Sequence, residues 1–234
     1  MDKIQKMEKD KGKVRQITGI VIEAEDLSGN IGELCYIMPE DKNKEPVRAE
    51  IAGFREKRAL LMPFGELAGI GPGCEVRATG NVLQVEVGEQ LIGRVLNGLG
   101  EPIDGKGSIK SGIFYPVYND LPDTSVSLPV NKSLPTGCKV FDSFLTFGKG
   151  QSLSMFAGGG VGKSTTLGLI ARETAAHINV LIFVGERGRE LRDFVEHVLK
   201  EDGLARSVII VATSDRPIME RIKCSYSMNF YRKT

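Results

Sequence analysis

Hydrophobic and polar positions change rhythm part-way along the chain. From Val14 to about Val85, short runs rich in β-branched residues are separated by turn residues: ITGIVIEAE, SGNIG, ELCYIM, VRAEIAGF, RALLMP, EVRATG and VLQVEV. A spacing of about 8–12 residues per strand predicts a small antiparallel barrel or sandwich over residues 14–85. DKNKEP is its most polar loop. Residues 1–13 are charged and read as a frayed tail or a short solvent-facing helix. After the barrel, GEQLIGRVLNGLGEPIDGKG is punctuated by Gly100, Pro102 and Gly105, which predicts a helix and then a turn. Residues 116–136 are Pro-rich and predict an extended connector on a domain surface.

Farther on, strand-like and helix-like segments alternate. SLSMFA reads as a strand, and a helix is expected from Lys163 to His177. VLIFVGE is almost entirely apolar, the pattern of a strand buried on both faces. Leu191, Phe194, Val195, Val198 and Leu199 then form one stripe at helical spacing, with Gly203 as the expected stop. SVIIVATS predicts a third buried strand, and Pro217 suits the start of a further helix, PIMERIK. Alternation of this kind implies a parallel sheet with crossover helices, here over residues 86–234.

Charge narrows the function. With 31 basic and 30 acidic residues the net charge is +1. Nucleic-acid-binding domains carry a clear basic excess, so no nucleic-acid partner is expected. No apolar run reaches the ~18 residues of a spanning helix, and the N-terminus lacks the apolar core of a signal peptide. Cys35, Cys74, Cys138 and Cys224 are scattered and form no CxxC pair or Cys/His cluster. Neither a metal site nor a disulfide framework is expected, and reduced thiols fit the cytosol. His177 and His197 read as solvated or packed.

The densest chemical signal is FAGGGVGKST. The phosphate-binding pattern G-x-x-x-x-G-K-[ST] falls on Ala157, Gly158, Gly159, Gly160, Val161, Gly162, Lys163 and Ser164, with Ala157 in place of the first glycine. Glycines let the backbone wrap a phosphate with its N–H groups inward, and the following helix directs its positive end to the same place. Lys163 would reach the β and γ phosphates, and the Ser164 hydroxyl would ligate Mg²⁺. Ala157 through Ser164, with Thr165, are therefore the candidate residues for binding ATP. Without the flanking strand and helix, the same residues would read as a glycine-rich turn.

A second constellation lies in VLIFVGERGRE. Glu186 falls just past the end of an expected strand, the edge where ligands bind in such sheets. A carboxylate there could orient an attacking water or support Mg²⁺ through water. Arg187 and Arg189 could neutralise charge on a transferred phosphoryl group. The bland alternative is a solvated helix start with a local salt bridge. Asp215 in VATSDRP could line the same edge or cap the helix at Pro217.

Taken in order, GFREKRALLMPFGELAGIGPGCEVRATG, VGEQLIGRVLNGLGEPIDGKG, FAGGGVGKST, NVLIFVGERGRELRDFVE and RSVIIVATSDRP resemble the flagellar and type III secretion export ATPases, relatives of the rotary ATP synthase catalytic subunit. The likeness runs from Val14 to Ile222. It implies a six-stranded antiparallel barrel followed by a RecA-like α/β P-loop ATPase domain. It also implies a homo-hexamer with ATP at subunit interfaces, in the cytoplasm at the inner face of the membrane-bound export apparatus. The apparatus and a regulator are the expected partners, with only peripheral membrane association. Lys163, Glu186 and Arg189 take the catalytic roles: Glu186 polarises the attacking water and Arg189 faces the γ-phosphate. Likeness in the barrel and LLMPFGELAGI favours the flagellar branch.

Some positions depart from the family's pattern. The connector keeps a TG…D…LT…GKGQ skeleton but has Ser152 where Arg is common, and Gly159 replaces the usual Ser. After RPIMERIK the family continues to a Walker B strand, whereas this chain reads CSYSMNFYRKT. The expectation is a truncated product lacking that strand and the adenine-binding residues, the arginine finger and a C-terminal helical domain. Two readings follow: an export ATPase, or an impaired fragment of one that binds phosphate weakly or acts only through its barrel. An RNA translocase of the same RecA class is disfavoured by the near-neutral charge.

Overall fold

The computed structural model describes residues 10–118 and 129–226. Six strands close an antiparallel barrel: β1 (Asp10–Thr18), β2 (Val21–Glu25), β3 (Glu33–Ile37), β4 (Val47–Arg55), β5 (Arg58–Pro63) and β6 (Glu75–Val82), in the order β1-β2-β5-β4-β3-β6. Alternation in the sequence becomes alternation across the wall. In β5, Ala59, Leu61 and Pro63 are buried while Arg58, Leu60 and Met62 are only half-buried. Val14, Ile22, Cys35, Ile51, Leu61 and Val76 fill the interior with other small apolar residues. Asp10 to Lys13, expected in the charged tail, instead belong to β1 and pair with β6 from Ala78 to Glu75. Residues 1–9 lie outside the described residues.

β7 (Gln84–Val87) pairs with β9 (Ile113–Pro116). Between them, the helix expected in GEQLIGRVLNG does not form. The segment makes one 3₁₀ turn over Glu89–Leu91 and then β8 (Val95–Asn97). Strand pairing overrides local propensity here: β8 lies parallel to β11 (Ser207–Ala212), flanked by Gly93 N–H donating to Ser207 O at 2.8 Å. Arg94 just before β8 forks onto Asp104 at 2.7 and 2.9 Å, which pins the loop back on the strand.

The second sheet is parallel, in the order β10-β11-β8, with β10 spanning Asn179–Val184. Every residue of β11 is buried, as its continuous apolar run predicts. Ile209 and Val211 face one layer of helices, and Val208, Ile210 and Ala212 face the other side. β10 differs from expectation. It is an edge strand with only Leu181 buried, because nothing in the described sheet covers its outer side. SLSMFA forms no strand: residues 151–160 are exposed and join neither open edge.

Five α-helices complete the fold among the described residues: α1 (Lys139–Phe144), α2 (Lys163–Glu173), α3 (Gly188–Asp193), α4 (Lys200–Leu204) and α5 (Ile218–Tyr226). The expected stripe packs as one surface, with Phe194 and Leu199 buried and Leu191, Val195 and Val198 beside them. Between α3 and α4, however, Phe194–Leu199 widens into a π-helical turn. Gly203 lies one residue before the end of α4, close to the expected stop. A side chain there would meet Leu199 at 2.7 Å and Arg172 at 2.9 Å, so its smallness lets α4 approach α2. The connector falls partly outside the described residues, over 119–128.

One continuous core joins barrel to sheet. Phe64 of the barrel end packs in the same cluster as Leu91, Leu96, Val208, Ile210 and Met219.

Candidate functional site

The site begins where α2 begins. Gly160 and Gly162 adopt φ of +76° and +96°, a left-handed conformation that costs a side-chain-bearing residue about 1–2 kcal/mol. They turn the chain sharply into the helix. Added Cβ atoms at Gly158, Gly159, Gly160 or Gly162 would meet nothing within 4 Å, so this glycine turn stands open to solvent. Thr166 N–H donates to Gly162 O at 2.9 Å, the first helical bond, and no side chain caps the helix. The N–H groups of Lys163, Ser164 and Thr165 thus stand at the positive end of α2 without an intrahelical acceptor. All three side chains are exposed, as are Ala157 and Val161.

Helix direction places this end at the C-terminal edge of the strands. The other end of α2 is tied to the starts of the strands. Asn179 Nδ2 donates to Ala171 O at 2.6 Å, and Arg206 donates to Arg172 O at 3.3 Å and Thr174 O at 3.0 Å. α2 therefore runs against the strand direction. Eleven residues at 1.5 Å rise give about 16 Å and six strand residues about 20 Å, so the N-terminus emerges near the strands' C-terminal edge.

Glu186 occupies that same edge. Gly185 N–H donates to Ala212 O at 2.7 Å and Ser214 N–H donates to Glu186 O at 3.1 Å, so the GERGRE and ATSDRP loops are tied together where β10 and β11 end. Glu186 is half-buried. Arg187 and Arg189 are exposed, and Arg187 approaches Glu190 at 4.0 Å, an exposed contact of little energy. Asp215 is exposed, and hydrogen bonding, chiefly to Thr213, holds its carboxyl below the usual range. Among the described residues, no hydrogen bond or ion pair joins Lys163, Glu186 and Arg189 to one another. The fold brings their elements to one edge and leaves the side chains apart.

The strand expected before the glycines does not form, so the fit to a triphosphate rests on the glycine turn and the uncapped start of α2. Mg²⁺ commonly takes one or two protein oxygens alongside phosphate oxygens, and the exposed Ser164 hydroxyl suits that pattern. Among the described residues no group of three His, Cys, Asp or Glu could hold a metal alone. His177 and His197 are exposed, and all four cysteines are free.

Matches to known families fall on these two regions. The model of the ATP synthase alpha/beta family beta-barrel domain matches residues 14–80, and that of the same family's nucleotide-binding domain matches residues 137–229. The chain belongs to the ATP synthase alpha/beta family. Similar members include the flagellum-specific ATP synthase of Bacillus subtilis, 44% identical over 92% of this chain and 49% of the relative. The type 3 secretion system ATPase of Xanthomonas euvesicatoria is 43% identical over 92% and 48%. Among solved structures, the assembled ATPase EscN of the enteropathogenic E. coli type III secretion system matches with a TM-score of 0.83 at 32% identity, over 94% of this chain and 53% of that one. The chain spans about half the length of the curated relatives it matches.

Membership gives physical meaning to the connector skeleton. Asp142 accepts hydrogen bonds from Thr136 N–H and Oγ1, both at 2.8 Å, and from Gly137 N–H at 3.0 Å. Thr174 Oγ1 and Ala175 N–H, just past α2, donate to Pro135 O, so this turn anchors the end of α2. Gln151 Oε1 accepts from Gly148 N–H at 2.9 Å.

Sequence reasoning missed the buried ion pair of Lys223 on α5 with Glu50 on β4. Burial, opposed by Glu50, pulls the Lys223 pKa down. Lys223 Nζ stands 3.6 Å from the Tyr118 ring centre, and burial and the Glu50 charge push the Tyr118 phenol up to about 12. A signal existed: Lys223 lies four residues from Met219 and beside Cys224, on the buried stripe of a short helix.

Proposed function

We propose that this chain carries the nucleotide-gripping part of an ATPase that drives protein export of the flagellar and type III secretion kind. The observation that carries the reading is the open cradle at Gly158–Gly162, leading into the uncapped α2 on the sheet edge that holds Glu186. Relatives named as flagellar and as type 3 secretion proteins stand at 44% and 43% identity, so both branches support it equally. Those names favour an enzyme over an impaired fragment.

In this reading the backbone N–H groups at the start of α2 take the phosphate oxygens, and the Lys163 ammonium binds the β and γ phosphates. Ser164 holds Mg²⁺, which when bound supplies Lewis-acid polarisation of the phosphoryl oxygens. Glu186 orients the water, and Arg189 faces charge developing on the γ-phosphate. The protein works as a homo-hexamer with nucleotide at subunit interfaces, at the cytoplasmic face of the export apparatus, with that apparatus and a regulator as partners. The assembled state of EscN and its complex with the stalk EscO support this. No helix among the described residues is long and apolar enough to cross a membrane, which fits peripheral attachment.

The test is binding of a fluorescent ATP analogue to the chain with Mg²⁺, with phosphate release followed in the same samples. Lys163→Ala is expected to weaken binding at least tenfold. Equal affinity and equal turnover in wild type and variant would refute the reading.

A further inference from the structure

We propose that Glu50 and Lys223 form a buried latch through which the barrel sets the position of the 213–217 loop, making Lys223 a positioning residue for the candidate site. Lys223 is fully buried and the Glu50 side chain is 8% exposed. They come from different layers: Glu50 faces Met62 across β4 and β5, and Lys223 lies in the second turn of α5. Two aromatic rings close over the ammonium, Tyr118 at 3.6 Å and Phe64 at 5.7 Å. Tyr226, one turn farther along α5, packs edge-on against Tyr118 at 4.9 Å.

The path from latch to site is short and stiff. α5 starts at Ile218, directly after Pro217, and Arg221 N–H donates to Pro217 O at 3.2 Å. Thr213 O accepts from Arg216 N–H at 3.0 Å, which closes the loop, and Ser214 N–H holds Glu186 O. A shift of α5 along the barrel therefore moves the donor that fixes the Glu186 backbone. The energetics point the same way. Burying two charges is costly, and well-packed apolar pairs of similar size are often as stable. What an ion pair adds is a single register: the ammonium meets the carboxylate at one setting of α5, whereas apolar side chains tolerate several.

An ion pair confined to the barrel, Arg58 with Glu23 at 3.0 Å, is more exposed and serves as an internal control. The functional consequence rests on reading this edge as the nucleotide edge, but the latch does not. The experiment is NMR amide exchange on the nucleotide-free chain. Glu50→Leu/Lys223→Met is expected to speed exchange at Ser214 at least tenfold while β2 and β5 amides keep their rates. Arg58→Ala should leave Ser214 unchanged. Glu50→Gln, which conserves shape, gives the same Ser214 readout should the double variant not fold. Wild-type exchange at Ser214 in the folded variant, or uniform acceleration through the barrel, would overturn the proposal. Absence of MgATP protection at Ser164 and Thr165 in the wild-type chain would instead overturn the nucleotide reading and leave the latch standing.

Discussion

Replacement of Gly168 by alanine tests how α2 is seated. In a free helix this change stabilises by about 1 kcal/mol, because glycine has the greater backbone entropy to lose. Gly168 is buried in the middle of α2, where an added Cβ would stand 2.3 Å from Val198 Cγ1 and 3.4 Å from Phe194 Cε2. Carbon atoms prefer about 3.5–4.0 Å, so one partner must move by more than 1 Å. Val198 cannot simply swing aside, since a β-branched side chain in a helix has one strongly preferred rotamer. Overpacking of this kind costs about 1–3 kcal/mol, which cancels or exceeds the propensity gain and leaves Gly168→Ala neutral to about 2 kcal/mol destabilised. Val198→Ala removes the obstructing methyl groups. The two changes should therefore couple by about 1–3 kcal/mol in a double-mutant cycle, with the alanine at 168 stabilising only in the Val198→Ala background. Urea unfolding followed by far-ultraviolet circular dichroism measures this, since the chain has no Trp for fluorescence. A gain of about 1 kcal/mol from Gly168→Ala in both backgrounds, with coupling below about 0.5 kcal/mol, would refute the close approach of α2 to the π-helical turn.

Three further outcomes follow from the geometry. Gly162→Ala forces a side chain into φ +96° at the mouth of α2. It should destabilise by about 1–2 kcal/mol and lower MgATP affinity by at least tenfold, measured by titration, while β2 and β5 amide protection is retained. Hydrogen bonds from Arg94, then those from the Lys106 and Val95 N–H groups, hold the Asp104 carboxyl well below the usual carboxylate range. A depressed carboxyl contributes stability above its unfolded value of about 3.9 that is lost as the pH falls below it. Asp104→Asn should therefore be less stable near neutrality and lose less between about pH 4 and pH 2 in urea titrations. Burial pushes the Cys35 and Cys224 thiols up to about 12, and Cys138 is the one cysteine that is not fully buried. Iodoacetamide on the native chain should label Cys138 first, with Cys35 and Cys224 reacting only after denaturation, as mass spectrometry would show.

Which features could be read from residue order follows from where their determinants lie. Barrel alternation is written within each strand, so Ala59, Leu61 and Pro63 turn inward as the pattern requires. β11 is buried on both faces because its apolar run has no polar side to offer water. The glycine turn into α2 was legible for the same local reason: positive φ at Gly160 and Gly162 needs glycine, and α2 starts at the next residue. Pairing is not local. β8 is three residues in a glycine-punctuated segment, and it becomes a strand only because β11, more than a hundred residues away, offers a ladder. SLSMFA shows the converse. It has the composition of a strand, yet β11 already has neighbours on both sides and the segment joins neither β10 nor β8, so Phe156 remains 94% exposed. The same logic explains the oversight at Lys223. A charged residue on the buried stripe of a helix makes sense only if a counter-charge reaches it, and Glu50 lies 173 positions earlier on another domain's strand. An ionisable residue in the apolar stripe of a short helix therefore marks a contact whose partner must be sought elsewhere in the chain, and here that partner binds the barrel to the edge where ATP is proposed to sit.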